Sequence, residues 1–362
     1  MIVLLKKYCT IIFVFLFLFS ILVYGEDSEI NISASSAVLM NADTGKVIYE
    51  KNAYKVCSMA STTKIMTSLI ALEQGTPNRI IKITDEMLNV EGTSIGLKAG
   101  DLISLKGLAY GMLLESGNDA ANSTAIAIGE TLNCFSEIMN NKAKAIGMKS
   151  TNFVTPSGLD DENHYTTAYD MAVLGSYAIK NPDFVSITSS KKAEVTFGNP
   201  PKVQTLYNHN KMLNMYDGTI GIKTGFTKKS GRCLVTAAKK NGINLVCVVL
   251  SAPDDWNDTI KLLDYGFENQ KNVEIDDYKL EFKLNIVGGV KNSAALTLSN
   301  MPKYSGITND ELDKIIVKTY LKKFEYAPVK QGQVVGYNIY YIDDVEILKI
   351  PIIINSNVKK LN

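Results

Sequence analysis

Two apolar runs open the folded part of the chain, and they flank the turn-rich stretch Asn41–Gly45. This arrangement predicts a β-hairpin. Ile65, Leu69 and Leu72 then recur at the i, i+4, i+7 spacing of an amphipathic helix, and Gly75 supplies its stop. Extended sequence therefore comes first, and a helix follows it.

The middle of the chain is predicted to be helical. Apolar periodicity runs from Leu105 to about Gly129 with a break at ESGNDAAN, and it returns over Phe135–Ile146 and Tyr169–Ile179. The last of these helices is expected to end at Asn181-Pro182, because the residue before a proline avoids helical backbone.

Alternation returns from Val195 onward. Asn241-Gly242 separates two apolar runs and predicts a strand–turn–strand unit, and residues 254–269 have the periodicity of a closing helix. Strands thus lie at both ends of this segment, with helices between them. The simplest assembly over residues 30–270 is one sheet built from both ends and flanked by helices, an α+β or α/β layered domain.

Beyond about Gln270 the pattern is that of short strands. Residues 278–287 alternate, and two apolar runs meet at Asp343-Asp344, which predicts a further hairpin. Pro351 is expected on an edge strand, since proline cannot donate a ladder hydrogen bond. These features predict a small β-rich domain over residues 272–355.

The first 25 residues have a composition of their own. Lys6 and Lys7 precede the apolar run Ile11–Val23, and acidic residues follow directly after Gly25. This pattern predicts a signal peptide over residues 1–25, cleaved after Gly25, so the protein is expected to be extracytoplasmic, either secreted or at the cell surface. The alternative is an uncleaved N-terminal anchor, although the run is short for a membrane span of about 20 residues.

Charge and cysteine content disfavour several classes. The net charge is +1, and −1 without residues 1–25, so no nucleic-acid partner is expected. No metal site is expected either, since His164 and His209 are the only histidines. The cysteines that follow the signal are scattered without a C-x-x-C pair, which predicts free and mostly buried thiols. They are Cys57, Cys134, Cys233 and Cys247.

Ser61 and Lys64 are the first candidates for chemistry. Residues three apart lie on one face of a helix, so a hydroxyl at the helix start can meet an amine one turn later. A serine needs a base to become nucleophilic. A lysine with its ordinary pKa of about 10.4 is almost entirely cationic at pH 7, so that pKa must be lowered. Burial, the positive end of the helix dipole and a second cation could each lower it.

Two further motifs accompany this pair. Ser116-Gly117-Asn118 falls at the break between two helices, and Lys223-Thr224-Gly225 falls on a predicted strand. Each motif alone is compatible with a helix cap or a strand end. Together with Ser61 and Lys64, in this order and in these contexts, they match the S-x-x-K, S-D-N and K-T-G set of β-lactamases and penicillin-binding proteins, with S-G-N in the middle position.

The chain resembles the serine-type D-alanyl-D-alanine carboxypeptidases, the low-molecular-mass penicillin-binding proteins. Similar segments extend beyond the motifs, from AVLMNADTGKVIYEKNA to YAPVKQGQVVG, and cover roughly residues 34–354. The resemblance implies an α+β, β-lactamase/transpeptidase-like domain, with an antiparallel sheet flanked by helices and a helical subdomain. It also implies a small C-terminal β-sandwich-like domain. The implied partners are peptidoglycan stem peptides and β-lactam antibiotics, and no cofactor is implied.

The resemblance further implies a role for each residue of the catalytic motifs. Ser61 would be acylated, and Lys64 would accept its proton. Ser116, with its hydroxyl beside Lys64, would pass a proton toward the leaving D-alanine. The backbone N–H groups of Ser61 and Phe226 would form the oxyanion hole.

The other motif residues would hold the substrate. Asn118 would orient a substrate amide, and Lys223 and Thr224 would bind the terminal carboxylate of the peptide. Lys223 would also be the second cation near Lys64. Gly225 would let the substrate lie against its strand as an added β-strand. A site for a terminal carboxylate favours a carboxypeptidase over an endopeptidase.

Two alternatives stay open at this point. A class A β-lactamase would need a glutamate in an E-x-x-L-N segment, and the nearest string, Glu130–Asn133, is one residue too short. A non-catalytic cell-wall binding protein is the other, and the intact motifs disfavour it. His164 and His209 are expected to be structural. Many relatives end in an amphipathic membrane helix, for which few residues follow the last strand, so membrane contact is expected only through an uncleaved N-terminus.

Overall fold

The computed structural model describes residues 30–274 and 283–362, and the expected signal peptide lies outside these ranges. In residues 30–274 the strands are β1 (Ser36–Asn41), β2 (Val47–Lys51), β3 (Ile80–Lys82), β4 (Leu102–Ser104), β5 (Lys192–Gly198), β6 (Pro201–Tyr207), β7 (Thr219–Thr227), β8 (Gly231–Lys240), β9 (Ile243–Leu250) and β10 (Lys271–Glu274). The helices are α1 (Lys64–Leu72), α2 (Leu105–Leu114), α3 (Asn118–Gly129), α4 (Leu132–Ala145), α5 (Ala168–Ala178), α6 (Pro182–Thr188), α7 (Met212–Met215) and α8 (Asp255–Asn269).

The central sheet has the strand order β2-β1-β9-β8-β7, and all neighbours are antiparallel. Both ends of the segment therefore contribute to one sheet, as the sequence predicts. Gly266 of α8 lies against Leu245, and Gly175 of α5 lies against Val246. Since consecutive residues of a strand point to opposite faces, these two helices cover opposite faces of the sheet.

Helix α1 lies at the centre of the helical part of the fold. It contacts α2, α3 and α5, and each of its nine residues is buried. A helix that is buried all round is normally apolar all round, yet α1 begins with Lys64. The fold thus holds a lysine where solvent cannot reach it.

Two features of this region differ from the sequence-based prediction. Strands β3, β4, β5 and β6 form a separate four-stranded sheet that the alternation alone did not separate from the central one. Asn181-Pro182 ends one helix, as predicted, but it also begins α6. The Asn181 side chain accepts a hydrogen bond from the N–H of Phe184 at 3.1 Å, and proline is favoured at the first helical position because its missing N–H has no partner there.

Residues 283–362 are rich in β-structure and have a core of their own, which includes Leu284, Leu296, Val335 and Ile352. The elements are β11 (Lys283–Val287), β12 (Ser293–Leu298), β13 (Lys303–Ile307), α9 (Asn309–Leu312), β14 (Ile316–Leu321), β15 (Phe324–Tyr326), β16 (Val334–Ile342) and β17 (Val345–Ile354). Strand β13 pairs with β10, and the other strands form a sheet of order β14-β16-β17-β12-β11-β15. The predicted hairpin at Asp343-Asp344 joins β16 to β17.

The prediction that Pro351 lies on an edge strand is wrong. Pro351 belongs to β17, which lies between β16 and β12. The ladder between β12 and β17 covers only residues 352–354 of β17, so Pro351 falls just outside it. An interior strand can therefore hold a proline where the partner strand has already ended.

Within the described ranges, no helix combines the length and the apolar character that crossing a membrane requires.

We expect Asp258 of α8 to be important for the stability of the fold. This carboxylate is 2% exposed and accepts hydrogen bonds from Ser33 N, Ser33 Oγ and Ala34 N at 2.8–2.9 Å, which ties the segment before β1 to α8. Asp258→Asn replaces one carboxylate oxygen with an NH2 group, which faces N–H and O–H donors and cannot accept from them. This substitution should therefore lower the free energy of unfolding by about 2 kcal/mol. Denaturant unfolding measures the loss. The exposed Glu268→Gln on the same helix is the control, with an expected change within about 0.5 kcal/mol. Equal effects of the two substitutions would contradict this role of Asp258.

Candidate active site

Ser61 and Lys64 meet at the start of α1. Ser61 lies in a 3-10 turn, Ala60–Thr63, and Lys64 is the first residue of the helix. The Lys64 Nζ donates to Ser61 Oγ at 2.9 Å and to the carbonyl oxygen of Ser157 at 2.7 Å. Ala60 has φ +47°, a left-handed conformation that is unfavourable for a residue with a Cβ. The turn that presents Ser61 is therefore strained and must be held by its surroundings.

The environment of Lys64 disfavours its cationic form. Its side chain is fully buried, and this burial lowers the pKa well below the ordinary lysine value. The nearby charge of Lys223 lowers it further, and Asp119 opposes both effects. A neutral amine beside the Ser61 hydroxyl can serve as a general base.

Strand β7 is the last strand of the central sheet and passes close to the turn of Ser61. A Cβ on Gly225 would lie 3.1 Å from each of Met59 O, Ser61 N and Thr62 N. Because these are backbone atoms, they cannot move aside without displacing the turn. A glycine at position 225 is what allows the strand to approach Ser61 so closely.

Lys223 belongs to the same strand, and its side chain is buried. It is 1% exposed, and its Nζ donates to the carbonyl oxygen of Thr224 at 3.0 Å and lies 3.5 Å from Thr224 Oγ1. Burial lowers the pKa of Lys223 to about 7. Lys223 and the Thr224 hydroxyl thus offer two neighbouring donors to an anion.

The S-G-N motif lies at the junction of α2 and α3. Ser116 has φ +61°, and Asn118 is the first residue of α3, where its Nδ2 donates to the carbonyl oxygen of Glu91 at 2.6 Å. In the described parts of the chain the Ser116 hydroxyl has no hydrogen-bond partner, and Lys64 directs its two hydrogen bonds to Ser61 and Ser157. The Ser116 side chain is therefore free to bond a ligand.

Asp119, which sequence reasoning missed, holds the loop that faces this junction. Its buried carboxylate accepts hydrogen bonds from the backbone N–H groups of residues 95–97 and from the Ser94 hydroxyl, at 2.6–3.1 Å. Its place in the first turn of a helix is favourable for an acid and was the one available sequence signal. The loop so held brings Thr93 to the site.

These elements enclose a cleft of about 490 Å³. Its lining residues are Ser61, Thr93, Ser116, His209, Thr224, Gly225, Phe226, Arg232, Asp255 and Trp256. Five of the eight residues singled out from the sequence therefore line the cleft. The other three, Lys64, Asn118 and Lys223, are buried.

Arg232, Asp255 and Trp256 form a cluster in the cleft wall that sequence reasoning missed. Arg232 donates to Asp255 Oδ1 through Nε at 2.8 Å and Nη2 at 2.6 Å, and its guanidinium lies 5.8 Å from the centroid of the Trp256 ring. The turn after β7 pairs Phe226 with Arg232, which brings the arginine beside the K-T-G strand. Only knowledge of that register could have placed Arg232 at the site.

Neither histidine and none of the described cysteines belongs to the Ser61–Lys64 pair. His209 is at the cleft and lies 3.2 Å from Glu115, and His164 is buried against Thr63. The four cysteines in the described part of the chain are free, as predicted, but only two of them are buried. Cys233 and Cys247 are buried, Cys57 is half-buried and Cys134 is exposed, because Cys134 lies on the outer side of α4.

Both parts of the chain match known protein families. Residues 24–254 match the D-alanyl-D-alanine carboxypeptidase family, and residues 267–360 match the C-terminal domain of penicillin-binding protein 5. The chain belongs to the D-alanyl-D-alanine carboxypeptidase family. It is a serine-type carboxypeptidase, a hydrolase of the penicillin-binding, cell-wall class.

Individual relatives agree with this assignment. The D-alanyl-D-alanine carboxypeptidase DacF of Bacillus subtilis (strain 168) is 30% identical over 344 residues, which cover 92% of this chain and 88% of that protein. The structure of penicillin binding protein 5 from Haemophilus influenzae is 28% identical, with a TM-score of 0.68 over 91% of this chain and 98% of that one. PBP3 from Streptococcus pneumoniae, at 24% identity, shares the fold with a TM-score of 0.76 over 91% of this chain and 100% of that one. These likenesses confirm the predicted transpeptidase-like fold of the carboxypeptidase.

We expect Gly225→Ala to slow the carboxypeptidase while leaving it folded. The added methyl group would press on the backbone of the Ser61 turn, and small displacements of reacting groups are costly, so acylation by a β-lactam should slow about tenfold or more. Stopped-flow measurement with a chromogenic β-lactam gives the rate. Gly75→Ala is the control, since a Cβ there meets no atom within 4 Å. An acylation rate for Gly225→Ala equal to that of the control would refute the close-approach argument.

Proposed function

We propose that the enzyme removes the terminal D-alanine from peptidoglycan stem pentapeptides through an acyl-enzyme on Ser61. The observation that carries this proposal is the 2.9 Å hydrogen-bonding distance between the fully buried Lys64 Nζ and Ser61 Oγ, across which the hydroxyl can donate to a neutral amine. Burial favours the neutral amine that a serine nucleophile needs as its base. The family assignment supplies the substrate class.

In the acylation step Ser61 Oγ attacks the carbonyl carbon of the penultimate D-alanine, and Lys64 Nζ takes the hydroxyl proton. The carbonyl oxygen becomes an oxyanion, for which the backbone N–H groups of Ser61 and Phe226 are the proposed donors. The close approach of β7 to the Ser61 turn at Gly225 supports this pairing.

Collapse of the tetrahedral intermediate breaks the bond between carbonyl carbon and nitrogen. The nitrogen leaves as the amine of D-alanine and takes a proton that the Ser116 hydroxyl relays. An ester of Ser61 remains, and a water molecule attacks it, with Lys64 again as base, to release the shortened peptide and restore the hydroxyl. The free hydroxyl of Ser116 in the cleft supports the relay.

The substrate is proposed to lie along β7 as an added strand. Its terminal carboxylate would bind Lys223 and Thr224, and Asn118 would hold an amide of the peptide. The adjacent donors of Lys223 and Thr224 support this orientation, because they suit an anionic chain end. A β-lactam would occupy the same place and acylate Ser61 persistently.

Slow release of the antibiotic distinguishes this proposal from a β-lactamase. Glu130 ends α3 and Thr131 caps α4, so the string closest to a deacylating segment lies at an exposed helix junction. The cleft lining includes no glutamate. The proposed enzyme therefore hydrolyses peptides but holds β-lactams.

The remaining assignments follow from this function. We propose that residues 1–25 are a signal peptide, that residues 30–270 form the catalytic domain, and that residues 272–355 form a separate C-terminal domain. The match of residues 267–360 to a C-terminal domain family supports the last boundary. The proposed location is extracytoplasmic, and membrane contact through an uncleaved N-terminus is the proposed alternative to cleavage.

Release of D-alanine tests the reaction directly. The wild-type enzyme should release D-alanine from a diacyl-lysyl-D-Ala-D-Ala tripeptide, and Ser61→Ala should reduce the rate at least about a thousandfold because the nucleophile is gone. Mass spectrometry after exposure to penicillin should place one adduct on the Ser61 peptide. Rapid turnover of nitrocefin would point to a β-lactamase, and intact tripeptide with the wild type would point to a binding protein.

The pH dependence should report both buried lysines. Lys64 acts as a base only when neutral, so kcat/KM should rise with pH through the lowered pKa of Lys64. Lys223 attracts the carboxylate only when charged, so kcat/KM should fall again as the pH passes its pKa of about 7. Lys223→Arg keeps the positive charge and should move the falling limb to higher pH. An unchanged falling limb in that variant would mean that another group titrates.

A further inference from the structure

His164 is buried beside the turn of Ser61 and makes three hydrogen bonds. Its Nδ1 accepts the backbone N–H groups of Val154 at 3.0 Å and Thr155 at 3.2 Å. Because both of these neighbours are donors, the ring proton is on Nε2, which donates to Thr63 Oγ1 at 2.8 Å. The Thr63 hydroxyl in turn donates to the carbonyl oxygen of Ala60 at 2.8 Å. One imidazole thus joins the loop at 154–155 to the strained residue that precedes Ser61.

This arrangement requires a neutral ring. Burial lowers the pKa of His164 to about 4, although the nearby carboxylates of Asp161 and Asp160 act in the opposite direction. A protonated ring would direct a second N–H toward two N–H donors. The hydrogen-bonded form therefore persists at neutral pH.

The loop held by His164 also touches Lys64. The Pro156 carbonyl accepts from Thr67 Oγ1 at 2.6 Å, and the Ser157 carbonyl accepts from Lys64 Nζ at 2.7 Å. A Cβ on Gly158 would lie 1.9 Å from the Ala60 oxygen. The loop and the turn are therefore packed backbone to backbone, with Lys64 between them.

We propose that Thr63 and His164 are positioning residues that keep the Ser61 hydroxyl and the Lys64 amine within hydrogen-bonding distance of each other. Thr63 holds the turn of Ser61, and His164 holds the loop whose Ser157 carbonyl orients the amine. Neither residue lines the cleft, so both act through Ser61 and Lys64. This inference rests on the acyl-enzyme function proposed above and deepens it.

Loss of the Thr63–His164 hydrogen bond should have two consequences. The turn can relax from its left-handed conformation, and a displacement of about 1 Å between reacting groups can cost about a hundredfold in rate. The loop can also move away from Lys64 and admit water, which weakens the desolvation that lowers its pKa. The other charged groups that face Lys64 are Lys223 on β7 and Asp119 on α3, and neither is altered by this change.

Three variants of the full chain test the proposal. Thr63→Val removes the hydroxyl at nearly constant volume, Thr63→Ser retains it, and Thr124→Val removes a comparable buried hydroxyl that bonds the Ala120 carbonyl within α3 at 2.8 Å. The rate of acylation by a chromogenic β-lactam is measured against pH, and the melting temperature is recorded for each variant. Thr63→Val should acylate about tenfold or more slowly, with its rising limb at higher pH. Thr63→Ser and Thr124→Val should match the wild type in both respects.

The outcomes separate this proposal from the function on which it rests. A wild type that forms no adduct on Ser61 would overturn both. A wild type that acylates normally, with Thr63→Val equal to it in rate and in rising limb, would overturn the positioning role alone, even if the melting temperature falls. If Thr63→Val does not fold, His164→Asn replaces it, because its amide oxygen can take the place of Nδ1 and accept the two backbone N–H groups while the side chain is too short to reach Thr63. A wild-type rate and rising limb in that variant would likewise overturn the positioning role.

Discussion

The site depends on keeping one amine free of both water and charge. Lys64 can act as a base only because α1 is buried on every side and because its first residue has no contact with solvent. Desolvation penalises the charged amine, and the neutral amine still keeps two hydrogen-bonding neighbours, the Ser61 hydroxyl and the Ser157 carbonyl. The central position of α1 in the fold is thus a requirement of the chemistry as well as of packing.

Close backbone contacts enforce the same constraint from two sides. On one side Gly225 brings β7 against the Ser61 turn, and on the other Gly158 brings a loop against the Ala60 carbonyl. A Cβ at Gly158 would block its contact outright, and a Cβ at Gly225 would force the Ser61 turn to shift. The strained φ of Ala60 is held between these two surfaces, which suits a site whose geometry must not relax between turnovers.

The sequence predicted the side chains that belong to recognisable motifs, and it missed groups whose place depends on the folded backbone or on strand register. Ser61, Ser116 and Thr224 were found by motif and do share one cleft. The Ser157 carbonyl had no signal, since every residue has a carbonyl. Arg232 needed a strand register, which a single sequence does not give. Proline lies behind one wrong prediction, the edge position of Pro351, and one helix that was not predicted, α6, for a related reason. Its effect depends on whether a partner N–H is needed at that place, as the start of α6 and the middle of β17 both show.

The proposed mechanism requires opposite protonation states of the two buried lysines. In the proposed mechanism Lys64 must lose its proton, whereas Lys223 must keep its own to attract a carboxylate. Burial alone brings the pKa of Lys223 to about 7, so its charge is only partly present in the empty cleft at neutral pH. An anion bound beside Lys223 favours its protonated form, and that charge in turn disfavours a proton on Lys64. The anion itself acts on Lys64 in the opposite direction, because a nearby negative charge favours the cationic amine. The charge that selects a free carboxylate is thus one that the carboxylate itself stabilises, whereas a peptide without a terminal carboxylate would leave Lys223 only partly charged.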